Sequence, residues 1–159
     1  MIQTKIMDPL SENEPIRLHH VGYVVRSIEK MAHRFAQSIG ASWDGKVVLD
    51  TLQGAQVTFI ANCDYAFPLV ELVQPEGEDS PVSSFLKRGG GLHHLCYEIG
   101  DLDRQLESSR SIGGTVVRPP LPAVAFQGRR IAWVFTKDRL LIEFLETPEE
   151  SVLSTTGQS

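Results

Sequence analysis

The sequence predicts an α+β fold of two tandem βαβββ modules that share one cleft, and three observations predict it. Leu18 to Val25, LHHVGYVV, returns as Leu92 to Ile99, LHHLCYEI, with the leucine, both histidines and the tyrosine identical. Each copy is followed by one segment of helical periodicity and three of strand composition, the order expected of an internal repeat. Each module then closes on an acid inside an apolar run, Glu71 in PLVELVQP and Glu143 in LLIEFLE.

In chain order, residues 1–16 read as a loose polar tail, because the Ser-Glu-Asn-Glu run before Pro15 has no apolar periodicity. The first module spans 17–76. Its opening strand is Leu18 to Val25, Ser27 is placed to cap a helix, and Ile28, Met31, Ala32, Phe35 and Ile39 fall at helical spacing up to Gly40. Gly45 to Leu52, Ala55 to Ala61 and Pro68 to Gln74 are its remaining strands, punctuated by Gln53-Gly54 and Asn62-Cys63-Asp64. A connector, 77–91, offers Ser80 as a cap, Pro81 at the first helical position, inward-facing Phe85 and Leu86, and a Gly89-Gly90-Gly91 stop.

The second module spans 92–146, so the repeat fills a single domain, 17–146. After the strand Leu92 to Ile99, Asp101 caps a helix with Leu102, Leu106 and Ser109 on one face, ended by Gly113-Gly114. Thr115 to Arg118, Arg130 to Thr136 and Leu140 to Leu145 follow as strands. The intervening segment Pro119 to Gly128, rich in proline, reads as a rim or lid. Residues 147–159 read as a second polar tail.

Composition bounds the function. The 159 residues carry a net charge of −5, which argues against nucleic acid as the main partner because phosphate recognition needs a basic surface. No apolar run reaches membrane-spanning length and the N-terminus lacks the order of a secretion signal, so a cytoplasmic protein with no membrane association is expected. Cys63 and Cys96 form no spaced framework and read as reduced thiols.

The chemistry rests on a doubled His and Glu pattern. His20 precedes Glu71 by 51 residues and His94 precedes Glu143 by 49, so each module carries one His and one Glu at nearly matching positions. Strand alternation sends only one His of each pair to the cleft, and leaves His19 and His93 on the other face. A single mid-strand Glu usually faces solvent, yet Glu71 alternates with Leu69 and Val73, and Glu143 with Leu141 and Leu145. Buried carboxylates require pairing or a metal. If the modules meet about a pseudo-twofold axis, two His and two Glu converge as an N2O2 set for one divalent ion.

The motifs LHHVGYVV, QGAQVTFI, VELVQP, EDSPVSSFLKRGGGLHHLCYEI, GRRIAWVF and LLIEFLE resemble the vicinal oxygen chelate superfamily of glyoxalases, extradiol dioxygenases and bleomycin and fosfomycin resistance proteins. Within it they are most similar to the methylmalonyl-CoA epimerases. The resemblance implies His20, Glu71, His94 and Glu143 as metal ligands and Glu143 as a base at the substrate carbon. It also implies a small-molecule substrate that is an acyl-CoA thioester, epimerised at the carbon alpha to the thioester carbonyl, and it admits a homodimer. The donor types suit zinc, cobalt, nickel, manganese or iron.

Gln56, Gln127 and Arg129 are candidate substrate contacts, while Phe126 and Trp133 read as packing. The sequence departs from the family on QGAQVTFI, where some epimerases carry a second carboxylate and this chain has no Asp or Glu from Gln53 to Ala61. The family's Gly-Ala-His-Gly-like loop reads AVAFQG here, and its His-Pro-Lys turn is shortened to Thr136-Lys137-Asp138-Arg139. Two other readings therefore stand beside the epimerase: a glyoxalase-like lyase, isomerase or tailoring enzyme with the same metal, and a non-catalytic small-molecule binder of the resistance type.

Overall fold

A computed structural model describes residues 16–61 and 68–148, so both expected tails, except Ile16, Thr147 and Pro148, and the turn at Cys63 lie outside the described residues. The first module consists of β1 (Arg17–Val24), α1 (Ile28–Ser38), β2 (Val48–Asp50), β3 (Ala55–Ile60) and β4 (Leu69–Pro75). After α2 (Ser83–Lys87) the second repeats it as β5 (Gly91–Ile99), α3 (Leu102–Ser111), β6 (Thr115–Pro122), β7 (Arg130–Phe135) and β8 (Leu141–Glu146).

The helix starts follow from their caps. The Ser27 hydroxyl accepts from the Lys30 N–H at 3.3 Å, and the Asp101 carboxylate accepts from the Arg104 N–H at 2.9 Å. Each satisfies a backbone donor that the first turn leaves open. The connector differs from expectation. Val82, not Ser80, precedes α2, without a side-chain cap, and the buried Ser80 Oγ has no hydrogen-bond partner among the described residues.

The strands form one eight-stranded sheet in the order β2-β3-β4-β1-β5-β8-β7-β6. The order is symmetric about the antiparallel β1–β5 pair, which joins the modules edge to edge, and β1–β4 and β5–β8 are parallel within each half. The expected pair of modules is thus one continuous curled sheet. Its edges are β2 and β6, and the edge position lets β6 absorb Pro119, Pro120 and Pro122 without losing inner ladder bonds.

That placement corrects the expectation that Pro119 to Gly128 is a rim or lid outside regular structure. The first part is strand, and Val124–Phe126 forms a single 3-10 turn whose Phe126 is buried. Asp50 fixes this turn, because its carboxylate accepts the N–H groups of Leu52 and Gln53 on one oxygen and of Val124 on the other.

Helices cover one face of the sheet. Ile28, Ala32 and Ala36 of α1 pack on Ile60 and Leu72, and Leu102 and Leu106 of α3 pack on Ala132 and Phe144. Leu102 is wholly buried, worth roughly 1.5–3 kcal/mol for such a side chain. The opposite face is left for the site. No helix among the described residues is long and apolar enough to cross a membrane.

Candidate metal centre

Two rows of paired positions cross the uncovered face of the sheet. One runs Phe59, Glu71, Gly22, His94 over β3, β4, β1 and β5. The other runs Trp133, Glu143, Cys96, His20 over β7, β8, β5 and β1. Directly paired residues point to the same side of a sheet. Each row therefore supplies one Glu and one His, and each draws them from different modules.

The four side chains meet. His20 Nε2 lies 3.1 Å from His94 Nε2, 3.3 Å from Glu71 Oε2 and 3.1 Å from Glu143 Oε2. His94 Nε2 lies 3.3 Å from Glu71 Oε2 and 3.5 Å from Glu143 Oε2. All four residues are buried, and Glu143 Oε2 faces the Nε2 atoms of both imidazoles. A buried carboxylate oxygen facing only other ligand atoms calls for a cation. Four donors about 2.0 to 2.2 Å from one ion stand about 3.3 to 3.6 Å apart in a tetrahedron, so the observed spacings and the N2O2 chemistry fit a divalent metal.

The electrostatics agree with a site made to hold positive charge. Burial opposes protonation of His20, but Glu71 and Glu143 outweigh it and push its pKa up to about 10. His94 is raised by the same carboxylates against the same burial. Burial would raise the two carboxyls, yet the adjacent imidazoles hold Glu71 well below the usual range and Glu143 at about 2. A metal ion would take the place of those imidazole protons.

The structure changes the reading of the first histidine in each pair. Register slips by one residue between Leu18 and His20 on β1, and between Tyr23 and Gly22 opposite Leu92 and His94 on β5. His19 and His93 are the extra residues of these two bulges, and a bulge breaks the alternation that would have turned them away. His19 Nδ1 sits 2.9 Å from His20 Nδ1, and His93 Nδ1 sits 3.0 Å from His94 Nδ1. With each Nε2 presented to a metal, each Nδ1 carries the proton and donates it to the neighbouring imidazole, which fixes ring orientation. Burial, helped by the adjacent His20 or His94, lowers both acceptors to about 4, so they are neutral and able to accept.

Gly22 completes the fit. A Cβ there would stand 2.5 Å from His94 Nε2 and closer still to Cε1 and Nδ1, so the His94 ring occupies the space a side chain would need. The signal was present in the sequence: a glycine inside a strand marks close approach.

A cavity of about 290 Å³ opens beside the ligands, lined by Glu71, His94 and Glu143 together with Asp50, Gln53, Val57, His93, Arg118, Phe126 and Trp133 among others. Phe126 stacks on His20 at 5.8 Å between ring centroids and Trp133 meets His94 edge-on at 4.6 Å, so both aromatics form part of the site wall. Gln56, Gln127 and Arg129 do not line this cavity. Gln56 donates to Glu76 at 2.7 Å on the exposed surface, and Gln127, in the left-handed region at φ 57°, lines a separate surface depression with Arg129. Arg129 is ion-paired with Glu98, which Arg17 also holds. Gln53 and Arg118 take the polar places instead, and no spacing rule in the sequence marked either one.

Residues 19–133 match the model of the Glyoxalase/Bleomycin resistance protein/Dioxygenase superfamily. The chain is 30% identical over 124 residues to an ethylmalonyl-CoA/methylmalonyl-CoA epimerase of Cereibacter sphaeroides, covering 77% of this chain and 90% of that protein. Among solved structures it is similar to the methylmalonyl-CoA epimerase of Mycobacterium tuberculosis, with a TM-score of 0.71 and 27% identity over 82% of this chain and 87% of that one. It also shares the fold of a Streptomyces coelicolor methylmalonyl-CoA epimerase variant in complex with 2-nitronate-propionyl-CoA, with a TM-score of 0.69 and 23% identity over 82% and 96%.

Proposed function

The chain belongs to the Glyoxalase/Bleomycin resistance protein/Dioxygenase superfamily, and on that premise we propose that it is a metal-dependent epimerase acting at the carbon alpha to the carbonyl of an acyl-CoA thioester. The observation that carries this reading is the buried convergence of His20, Glu71, His94 and Glu143. These residues would hold one divalent ion. When bound, that ion supplies Lewis-acid stabilisation of charge developing on substrate oxygen.

The protein side chains do the rest. Glu143, whose Oε2 faces the metal position while the residue lines the cavity, is the base that removes the alpha proton through the carboxylate oxygen the ion leaves free. Inversion needs a proton returned on the opposite face. The strand that carries a second carboxylate in some relatives presents Val57 to the cavity here, and Asp50 is committed to backbone N–H groups. Glu71, the counterpart of Glu143 in the other half of the sheet, is the remaining cavity carboxylate, and as an ionised metal ligand it carries no proton to return. Phe126 and Trp133 keep water from the reacting carbon.

Chiral analysis after incubating metal-loaded protein with one epimer of methylmalonyl-CoA tests the proposal. Conversion to the other epimer is expected. A substrate recovered unchanged, with no deuterium at the alpha carbon in deuterated water, contradicts it.

A further inference from the structure

A second set of donors meets around the His20 ring, whose Nδ1 the four-residue cluster does not use. One ring nitrogen of His19, one of His20 and the Cys96 Sγ all lie within 4.8 Å of one another, and all three residues are buried. The fold brings them together by two routes. Cys96 on β5 is paired directly with His20 on β1, so both point to one side of the sheet. His19 is the bulge residue that turns back toward its neighbour and brings its Nδ1 to 2.9 Å from His20 Nδ1.

The two halves of the sheet differ at this place. The repeat puts Gly22 where the other half has Cys96, so His93 and His94 meet without a thiol while His19 and His20 meet with one. Cys96 is a free cysteine packed among Ala123, Phe126, Ile131 and Leu145. A thiolate with two imidazoles is a soft donor set, suited to zinc or cuprous ion. Zinc needs a fourth ligand, which these apolar side chains do not offer. Glu143, the neighbour of Cys96 on β8, is turned to the Nε2 atoms of His20 and His94.

We propose that His19, His20 and Cys96 form a second metal site, selective for cuprous ion, and that its occupancy excludes the divalent ion from the four-residue centre. The exclusion rests on the reading of that centre as a divalent site; the cuprous site itself does not. The monovalent ion replaces the Cys96 thiol proton, which leaves to solvent, so the buried set gains no net charge, whereas a divalent ion would add one. The His20 ring proton moves from Nδ1 to Nε2, and no electron is transferred. That proton then points at Glu71 and Glu143, at 3.3 and 3.1 Å, where the divalent ion needs a lone pair, and the divalent ion leaves to solvent.

The test titrates chelator-stripped protein anaerobically with cuprous ion alone, in competition with a chromophoric cuprous chelator. Wild type and Cys63→Ser should bind one ion per chain with the same affinity. Cys96→Ala should bind at least about a hundredfold more weakly and His19→Leu at least about tenfold, while Glu71→Gln and Glu143→Gln stay within about threefold of wild type. X-ray absorption at the copper edge should show one sulfur and two nitrogen neighbours. Circular dichroism and retained divalent binding by Cys96→Ala separate loss of the thiol from loss of the fold. Cys96→Ala binding within threefold of wild type, no cuprous binding by wild type, or a loss in Glu143→Gln equal to that in Cys96→Ala overturns the site. In divalent-loaded protein, one equivalent of cuprous ion should release the divalent ion from wild type and not from Cys96→Ala, and both ions held at once overturns the exclusion. If wild type holds no divalent ion, the metal-centred reading fails separately and the cuprous affinities still decide this site.

Discussion

Replacing Gly22 with alanine should destroy the metal centre without touching a ligand. The added Cβ would stand 2.5 Å from His94 Nε2, while ordinary contact begins at 3.4 Å, so the ligand atom must retreat by about 3.4 − 2.5 = 0.9 Å. Metal–ligand distances tolerate about 0.2 Å. His94 cannot retreat freely, because Trp133 meets its ring at 4.6 Å and His93 fixes its Nδ1 at 3.0 Å. A loss of divalent-metal affinity on the order of a hundredfold or more is expected. Competition with a chromophoric chelator measures it, and circular dichroism checks that the sheet persists. At the equivalent position of the other half, Cys96 already carries a Cβ opposite His20, so Cys96→Ala is the control and should keep its metal. Gly22→Ala binding metal within threefold of wild type would refute the packing explanation.

Three further outcomes follow from the same geometry. Glu143→Gln should abolish alpha-proton exchange by at least a thousandfold while leaving protein folded, read by proton NMR in deuterated water, because the amide cannot accept the proton. In metal-free protein, raised His20 contributes stability that is full below about pH 6.5 and lost as pH rises through about 10, while lowered Glu143 contributes stability present above the ordinary carboxylate range and lost as pH falls toward about 2. Thermal unfolding of chelator-treated protein should therefore show Tm falling from pH 6.5 to 10, and added metal should restore it; a flat profile contradicts the protonated cluster. Glu98→Gln should destabilise the fold by about 1–3 kcal/mol in urea at pH 7, with the difference vanishing in acid. Arg17 and Arg129 outweigh burial and lower Glu98, so its contribution is lost as pH falls through that lowered pKa.

The repeated strands made the fold and the cluster of two His and two Glu legible in sequence, because a duplicated module brings His20, His94, Glu71 and Glu143 together once the two halves meet along β1 and β5. The helix caps Ser27 and Asp101 were equally plain, since capping is local. What was not legible depended on departures from regular structure. Strand alternation assigned His19 and His93 to the other face because two bulges, each one residue long, leave no compositional mark. The proline-rich segment read as a rim or lid because proline suits loops, and the edge position of β6 that also admits it is a property of the whole sheet. Gln53 and Arg118 escaped notice because their pairing spans 65 residues and opposite sheet edges.

The most direct test of the metal-centred account is a titration of chelator-stripped protein with a divalent ion, following loss of the alpha proton of methylmalonyl-CoA in deuterated water. The account predicts no exchange without metal and a rate that rises linearly to a plateau at one ion per chain, with no plateau reached by His20→Ala. Full exchange in the stripped protein, or none at any metal loading, would contradict it.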